Sequence, residues 1–277
     1  MVFWPLLRLT RPINASIGYL SVWTAAFVAG SIHPLVNVRW AAASAMAILA
    51  GGNVVNDLFD VETDRINQPT RPLVMGTVSS QTAWIAAVVL FGIGIACSLR
   101  LALPMLGMAL LATGLLVFYN LKLKRTLLWG NLTVSFLGGV TFLYGGMAVG
   151  RIRGAVIPAI LAFGFHLGRE ILKDVEDCAG DRATQANTLA VRYGPRRALG
   201  WATTVFGILV ICTPLPYLFG AYSSFYLFTV LIGVDTVLAY VVGSMWYDRS
   251  PRNLARLSRL LKADMVVGLL AIVLGRG

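Results

Sequence analysis

Asn56-Asp57-x-x-Asp60-x-x-x-Asp64 and, 117 residues further on, Asp174-x-x-Asp177-x-x-x-Asp181 place oxygen donors at one repeated spacing. Nine of the 12 acidic residues fall within 57–64 and 170–181. An α-helix advances about 100° per residue, so positions i, i+3 and i+7 lie within roughly 60° of one another and each copy reads as a one-sided row of carboxylates. Two such rows facing each other repel unless a multivalent cation with an anionic ligand fills the gap. Mg2+ suits the set, because it takes one or two carboxylates together with phosphate oxygens and water. The candidate metal ligands are Asn56, Asp57, Asp60, Asp64, Asp174, Asp177 and Asp181. They exceed the needs of one ion, which points to two or more ions bridging a diphosphate. His33 and His166 are the only histidines, and Cys97, Cys178 and Cys212 lack metal spacing, so an imidazole or thiolate centre is not expected.

Cations complete the constellation. Arg11, Arg65, Arg71, Lys122, Lys124 and Arg182 can bind phosphate oxygens that the metal leaves free. Tyr119-Asn120, just before Lys122 and Lys124, brings a phenol and an amide to the same depth, able to orient a cation or an acceptor. A diphosphate held this way on an allylic carbon is a leaving group, and a dry pocket protects the resulting carbocation until the intended nucleophile attacks. Phe118, Phe136, Phe142, Tyr144, Phe163 and Phe165 are candidates to line the hydrocarbon tail, with Gly138, Gly139, Gly145 and Gly146 leaving space for it. The same residues also serve ordinary helix packing.

The elements that must carry these groups are set by composition. Of 277 residues, 57% are hydrophobic and 13% charged, and the mean hydropathy is +0.76. That is far more apolar than the roughly 25% charged soluble average, so the bilayer is the expected solvent. At about 20 apolar residues per crossing, nine spans are predicted, near 13–35, 40–58, 81–100, 102–121, 129–150, 154–173, 197–219, 222–246 and 258–275. The expected fold is all-α, one transmembrane domain over 1–277 with no cleaved signal peptide. With those spans, 18 of the 23 Lys and Arg lie on one side, which puts the N-terminus and both acidic copies toward the cytoplasm of a multi-pass cell-membrane protein. The net charge of +11 is then mainly a topology signal, with a share left for anionic substrates and lipid headgroups, and no nucleic-acid partner is expected. Shifting the chain by 117 residues superposes Asp57, Asp60, Asp64 and Arg65 on Asp174, Asp177, Asp181 and Arg182, which implies two pseudo-repeats with the site between them. The polar stretches 59–80 and 174–196 follow the two acidic spans. The first, with Asn67, Pro69, Pro72 and Gly76, is expected to cap the site.

Asn56-Asp57-Leu58-Phe59-Asp60-Val61-Glu62-Thr63-Asp64 with Arg71-Pro72 resembles the first signature of the UbiA superfamily of intramembrane prenyltransferases. Arg169-Glu170-Ile171-Leu172-Lys173-Asp174-Val175-Glu176-Asp177 through Gly180-Asp181 resembles the second, and Arg11-Pro12-x-Asn14 fits the family's opening. The resemblance covers essentially the whole chain. It implies Mg2+-dependent transfer of a prenyl group from a polyprenyl diphosphate, with Asn56, Asp60, Asp64, Asp177 and Asp181 at metal–diphosphate contacts, and adds Asn14 beside Arg11 to the substrate-binding candidates. Asp60, Asp64, Asp177, Asp181 and Tyr119 are the candidate catalytic residues. Tyr119-Asn120-Leu121-Lys122-Leu123-Lys124 and the 173–177 run look most like the archaeal ether-lipid branch. Its members add geranylgeranyl, from geranylgeranyl diphosphate, to geranylgeranylglyceryl phosphate. Many relatives carry Lys four residues after the Tyr, where this chain has Leu123 flanked by lysines. An aromatic acceptor of a quinone-type pathway is the alternative within the family. A cation transporter is the alternative outside it, disfavoured because the acids cluster at the cytoplasmic ends rather than at midplane. A CDP-alcohol phosphotransferase ranks lower still, since its DG-x-x-AR signature is absent.

Overall fold

The computed structural model describes residues 3–276, and among them the regular structure is entirely helical. The α-helices run α1 Phe3–Leu9, α2 Pro12–Val28, α3 Leu35–Phe59, α4 Val61–Asn67, α5 Ser80–Ser98, α6 Leu103–Leu121, α7 Trp129–Ala148 and α8 Val156–Glu176. They continue with α9 Cys178–Ala183, α10 Leu189–Tyr193, α11 Pro195–Cys212, α12 Leu215–Leu218, α13 Ser224–Thr229, α14 Thr236–Tyr247 and α15 Pro251–Leu274. Six segments are long and apolar enough to cross a membrane: Leu35–Phe59, Ser80–Ser98, Leu103–Leu121, Ile152–Glu176, Pro195–Leu218 and Ser224–Tyr247.

Several boundaries differ from expectation. The first predicted span, 13–35, stops at Val28, because Gly30 turns the chain with φ +105° and Pro34 precedes α3. Ser224–Tyr247 carries a π-helical stretch at Val230–Asp235, and Pro214 divides α11 from α12. The polar stretches 59–80 and 174–196 contain short helices, α4 in the first and α9 and α10 in the second.

Burial is inverted relative to a water-soluble protein. On the outside, α5 and α6 expose Trp84, Ile85, Val88, Leu110 and Leu111, which is surface suited to hydrocarbon. Inside lie Asn53, Asn56, Asp57, Asp60 and Asp64. Helix α3 packs on α2 and α5, α7 on α2 and α8, α8 on α11 and α15, and α15 returns to α2. Glycines set the spacing on α7: a Cβ on Gly139 would stand 2.8 Å from the Ala159 carbonyl oxygen and one on Gly145 2.4 Å from that of Val22. Gly139, Gly145 and Gly146 therefore allow close helix approach instead of leaving room for a tail. Phe118 and Phe136 also depart from expectation, since they face outward with nearly half their surface exposed.

Candidate active site

Both acidic segments break their helix at the middle aspartate. At Asp60 the backbone adopts φ −95°, ψ 1°, and at Asp177 φ −88°, ψ 1°. A short helix follows each break, with the Asp64 N–H donating to the Asp60 carbonyl at 2.7 Å and the Asp181 N–H to that of Asp177 at 3.1 Å. The three carboxylates of a copy thus sit around a helix–turn–helix corner and not along one continuous helix face. The corner converges Asp57 and Asp64 on one side chain: Arg71 donates to both.

The two corners meet. Asn67, the last residue of α4, donates through Nδ2 to the Asp177 carbonyl at 3.0 Å and accepts the Gly180 N–H at 3.1 Å. Thr63 and Thr184 hydroxyls lie 3.3 Å apart across the same junction. A Cβ on Gly180 would stand 2.5 Å from Asn67 Nδ2 and 2.8 Å from the Thr63 carbonyl oxygen, so α4 and α9 approach this closely only around a glycine.

Cations lie between the acids. Arg11, in the left-handed region at φ 49°, pairs with Asp57 and donates to Asn56 Oδ1 at 2.9 Å. That conformation is uncommon for a side-chain-bearing residue and typical of positions that the surroundings hold for a purpose. Lys124, on the 3-10 turn Leu123–Arg125, pairs with Asp60. Lys173 Nζ stands 3.9 Å from Asp177. Asn56 also donates to Asn120 Oδ1 at 3.2 Å, and Asn131 donates to Asp174 at 2.9 Å. Among the described residues no three His, Cys, Asp or Glu side chains stand close enough to hold an ion by themselves. Burial raises Asp64 to about 6, with Arg71 opposing and Asp60 and Asp57 adding to the rise. Burial raises Asp181 to about 6 as well, helped by Asp177 and Asp60 and opposed by Lys124 and Lys173. That Asp181 is influenced by Asp60 follows from the two copies sharing one site.

A cavity of about 560 Å3 opens beside this corner. Its polar end has Arg11, Asn14, Asn56, Arg71, Tyr119 and Lys173, and its apolar end runs between α3, α6 and α7 past Ile48, Met108 and Ala109. From Asn56 to Ser44 the wall spans 12 residues of α3, about 18 Å at 1.5 Å per residue. Ser44 meets the Tyr144 hydroxyl at 3.4 Å. His166 lines the cavity too, with its ring against Gly138.

Not every candidate is brought in. Arg65 pairs with Glu62 on the exposed face of α4, and Lys122 and Arg182 are exposed outside the cavity wall. Asp174 is turned to Asn131 on α7. Sequence reasoning missed several residues: Asn67 as the clamp, Asn120 and Asn131 as partners of the acidic copies, and Arg259 and Lys262 of α15, which line the cavity. A faint signal for the last pair exists, because Arg252, Arg256, Arg259 and Lys262 recur at helical spacing.

Comparisons with known proteins agree with this architecture. The model of the UbiA prenyltransferase family matches residues 18–263. Digeranylgeranylglyceryl phosphate synthase of Methanothermobacter thermautotrophicus is 33% identical over 275 residues, covering 99% of this chain and 96% of the relative. A solved structure described for digeranylgeranylglyceryl phosphate synthase is 29% identical, with a TM-score of 0.76 over 99% of this chain and 98% of that one. A UbiA homolog from Archaeoglobus fulgidus, bound to GPP and Mg2+, has the same fold at 19% identity, with a TM-score of 0.68 over 97% of this chain and 99% of that one. The chain belongs to the UbiA prenyltransferase family.

Proposed function

We propose that this protein is a Mg2+-dependent intramembrane prenyltransferase that moves a geranylgeranyl group from geranylgeranyl diphosphate to the free hydroxyl of geranylgeranylglyceryl phosphate, as an archaeal ether-lipid enzyme. The observation that carries the reading is the Asn67 clamp, which joins the two aspartate corners beside a cavity that is lined by their sequence neighbours Asn56, Arg71 and Lys173 and has an apolar depth. Near-full-length relatives named for that synthase supply the acceptor class.

The donor set fits Mg2+: Asn56, Asp57, Asp60, Asp64, Asp177 and Asp181 offer only hard oxygens. When bound, Mg2+ neutralises the diphosphate and makes it a better leaving group. The chain does the rest. Arg11, Arg71 and Lys124, now paired with acids, are placed to contact diphosphate oxygens. The apolar walls between α3, α6 and α7 hold the prenyl chain and exclude water. Tyr119 and Asn14, on the cavity wall, orient the reacting groups. The allylic C–O bond to diphosphate breaks, an ether C–O bond forms to the glycerol hydroxyl, and that hydroxyl's proton is released. Arg65, Lys122 and Arg182, exposed outside the cavity wall, act in the approach of anions from outside.

We read the whole chain as one domain of nine crossings, adding α2, α7 and α15 to the six apolar segments. Helix α2, at 17 residues, is shorter than those six segments, and α15 carries Arg252, Arg256, Arg259, Lys262 and Asp264, which make it less apolar than a simple span. The matching backbone at Asp60 and Asp177 supports two pseudo-repeats. The basic excess supports a cell-membrane protein with its N-terminus and site toward the cytoplasm. The test is mass identification of the product from geranylgeranyl diphosphate when glycerophosphate and hydroxyaromatic acceptors compete. A prenylated aromatic as the sole product overturns the acceptor assignment.

A further inference from the structure

The cavity carries more basic side chains than Arg11 and Arg71, which pair with the aspartate corners. We propose that Arg259 and Lys262 of α15, with Arg169 and Lys173 of α8, form a phosphomonoester site for the acceptor's headgroup, beside the aspartate corners. The proposal rests on the reading of the acceptor as a glycerophosphate lipid.

All four side chains line the cavity. Arg169 and Lys173 are spaced i, i+4, and Arg259 and Lys262 i, i+3, so each pair shares a helix face, and α8 packs on α15. The Lys262 ammonium is within electrostatic reach of Arg169, Arg11 and Lys173, with Glu170 acting against them. What separates this wall from the aspartate corners is charge balance. There, Arg11, Arg71 and Lys124 each have an acid partner. Here, among the described residues, Arg259 and Lys262 make no ion pair, and Lys173 meets Asp177 only at 3.9 Å. Arg169 donates to Glu170 at 2.6 Å, while its buried Nε has no acceptor.

Glu170 and Glu176 are the two carboxylates on the same wall. Four cations against two acids leave a surplus that matches the charge of about −1.5 to −2 carried by a phosphomonoester near neutral pH. A guanidinium N–H buried without a partner is costly to keep, and an acceptor oxygen from a ligand removes that cost. Arg forks suit phosphate. A diphosphate held through metal is drawn instead to the acids, so the two anions sort to neighbouring parts of one cavity. The headgroup at this wall leaves the glycerol hydroxyl facing the corners where the allylic carbon is held.

The experiment uses the full chain in detergent and the double variant Arg259→Gln/Lys262→Gln. Glycerol phosphate should raise the unfolding midpoint of the parent protein but not of the double variant, while pyrophosphate with Mg2+ raises both. The preference for phosphorylated over dephosphorylated acceptor, as a ratio of kcat/KM, should fall roughly tenfold or more. Arg259→Lys/Lys262→Arg should restore most of it. A double variant that keeps the glycerol phosphate shift overturns the proposal, as does one that loses the pyrophosphate shift equally. If the parent protein transfers nothing to the glycerol lipid but shows the phosphate shift, and the double variant lacks it, the site stands and the proposed function falls.

Discussion

Removing the Asn67 side chain should open the joint between the aspartate corners without touching a single carboxylate. Asn67→Ala deletes two hydrogen bonds, to the Asp177 carbonyl at 3.0 Å and from the Gly180 N–H at 3.1 Å. Each is worth about 1 kcal/mol net, so roughly 2 kcal/mol of the corner-to-corner association is lost. If metal binding must restore that association, the apparent Mg2+ affinity falls by the same free energy, about 30-fold. The assay is initial rate against Mg2+ in micelles. The half-saturating concentration should rise about 10- to 30-fold, with most of kcat recovered at saturating Mg2+. Gly180→Ala attacks the joint from the other side, because its Cβ would stand 2.5 Å from Asn67 Nδ2, and should give the same signature. An unchanged Mg2+ dependence in both variants, with each folded, would refute the idea that this clamp assembles the site.

Three further outcomes follow from the geometry. Asp60→Asn and Asp177→Asn should each lose about a hundredfold or more in kcat while keeping the parent unfolding midpoint; the half-buried Lys124 freed by the first change remains near water. Mg2+ affinity should fall as pH drops below about 6, by roughly tenfold per pH unit for each proton displaced, because Asp64 and Asp181 titrate there in the metal-free protein. The sign for stability is opposite: both groups are raised above the ordinary carboxylate value near 3.9, so their contribution in the metal-free protein is fully present below that value and is lost as pH rises through 6. Isothermal titration at pH 5, 6 and 7.5, beside melts without metal, checks both signs. Ala109→Phe, at the apolar end of the cavity, should favour ten- or fifteen-carbon donors over twenty-carbon ones in kcat/KM, and an unchanged order of donors would place the tail elsewhere.

The acids, the apolar segments and the all-helical class were legible in the sequence because each is a bulk signal: rare carboxylates at a repeated spacing, and runs of hydrocarbon near the length of a bilayer. The breaks at Asp60 and Asp177 were not. Neither position is Gly or Pro, and the helical spacing of carboxylates runs straight through both. What favours the break is tertiary: each short helix finds its partner in the other copy, through Asn67, Thr63 and Thr184. A local reading cannot see hydrogen bonds that join residues 110 or more positions apart.

The same limit explains how the cations divided. Arg65 and Arg182 each stand one step after a motif aspartate, yet both point outward, because a residue one step along a helix is turned about 100° from its neighbour. Arg71, Arg11 and Lys124 reach the carboxylates from a turn, a left-handed N-cap and a 3-10 turn. Arg259 and Lys262, the most distant, arrive from the last helix with no acid to pair with. Proximity in sequence therefore does not decide access to the cavity: Lys173, one step before Asp174, lines it, whereas Arg65 and Arg182, one step after Asp64 and Asp181, do not. The carboxylates of the first copy are matched by Arg11, Arg71 and Lys124, which fold back over them, while Arg65, the neighbour of Asp64 in sequence, is committed to the opposite face with Glu62.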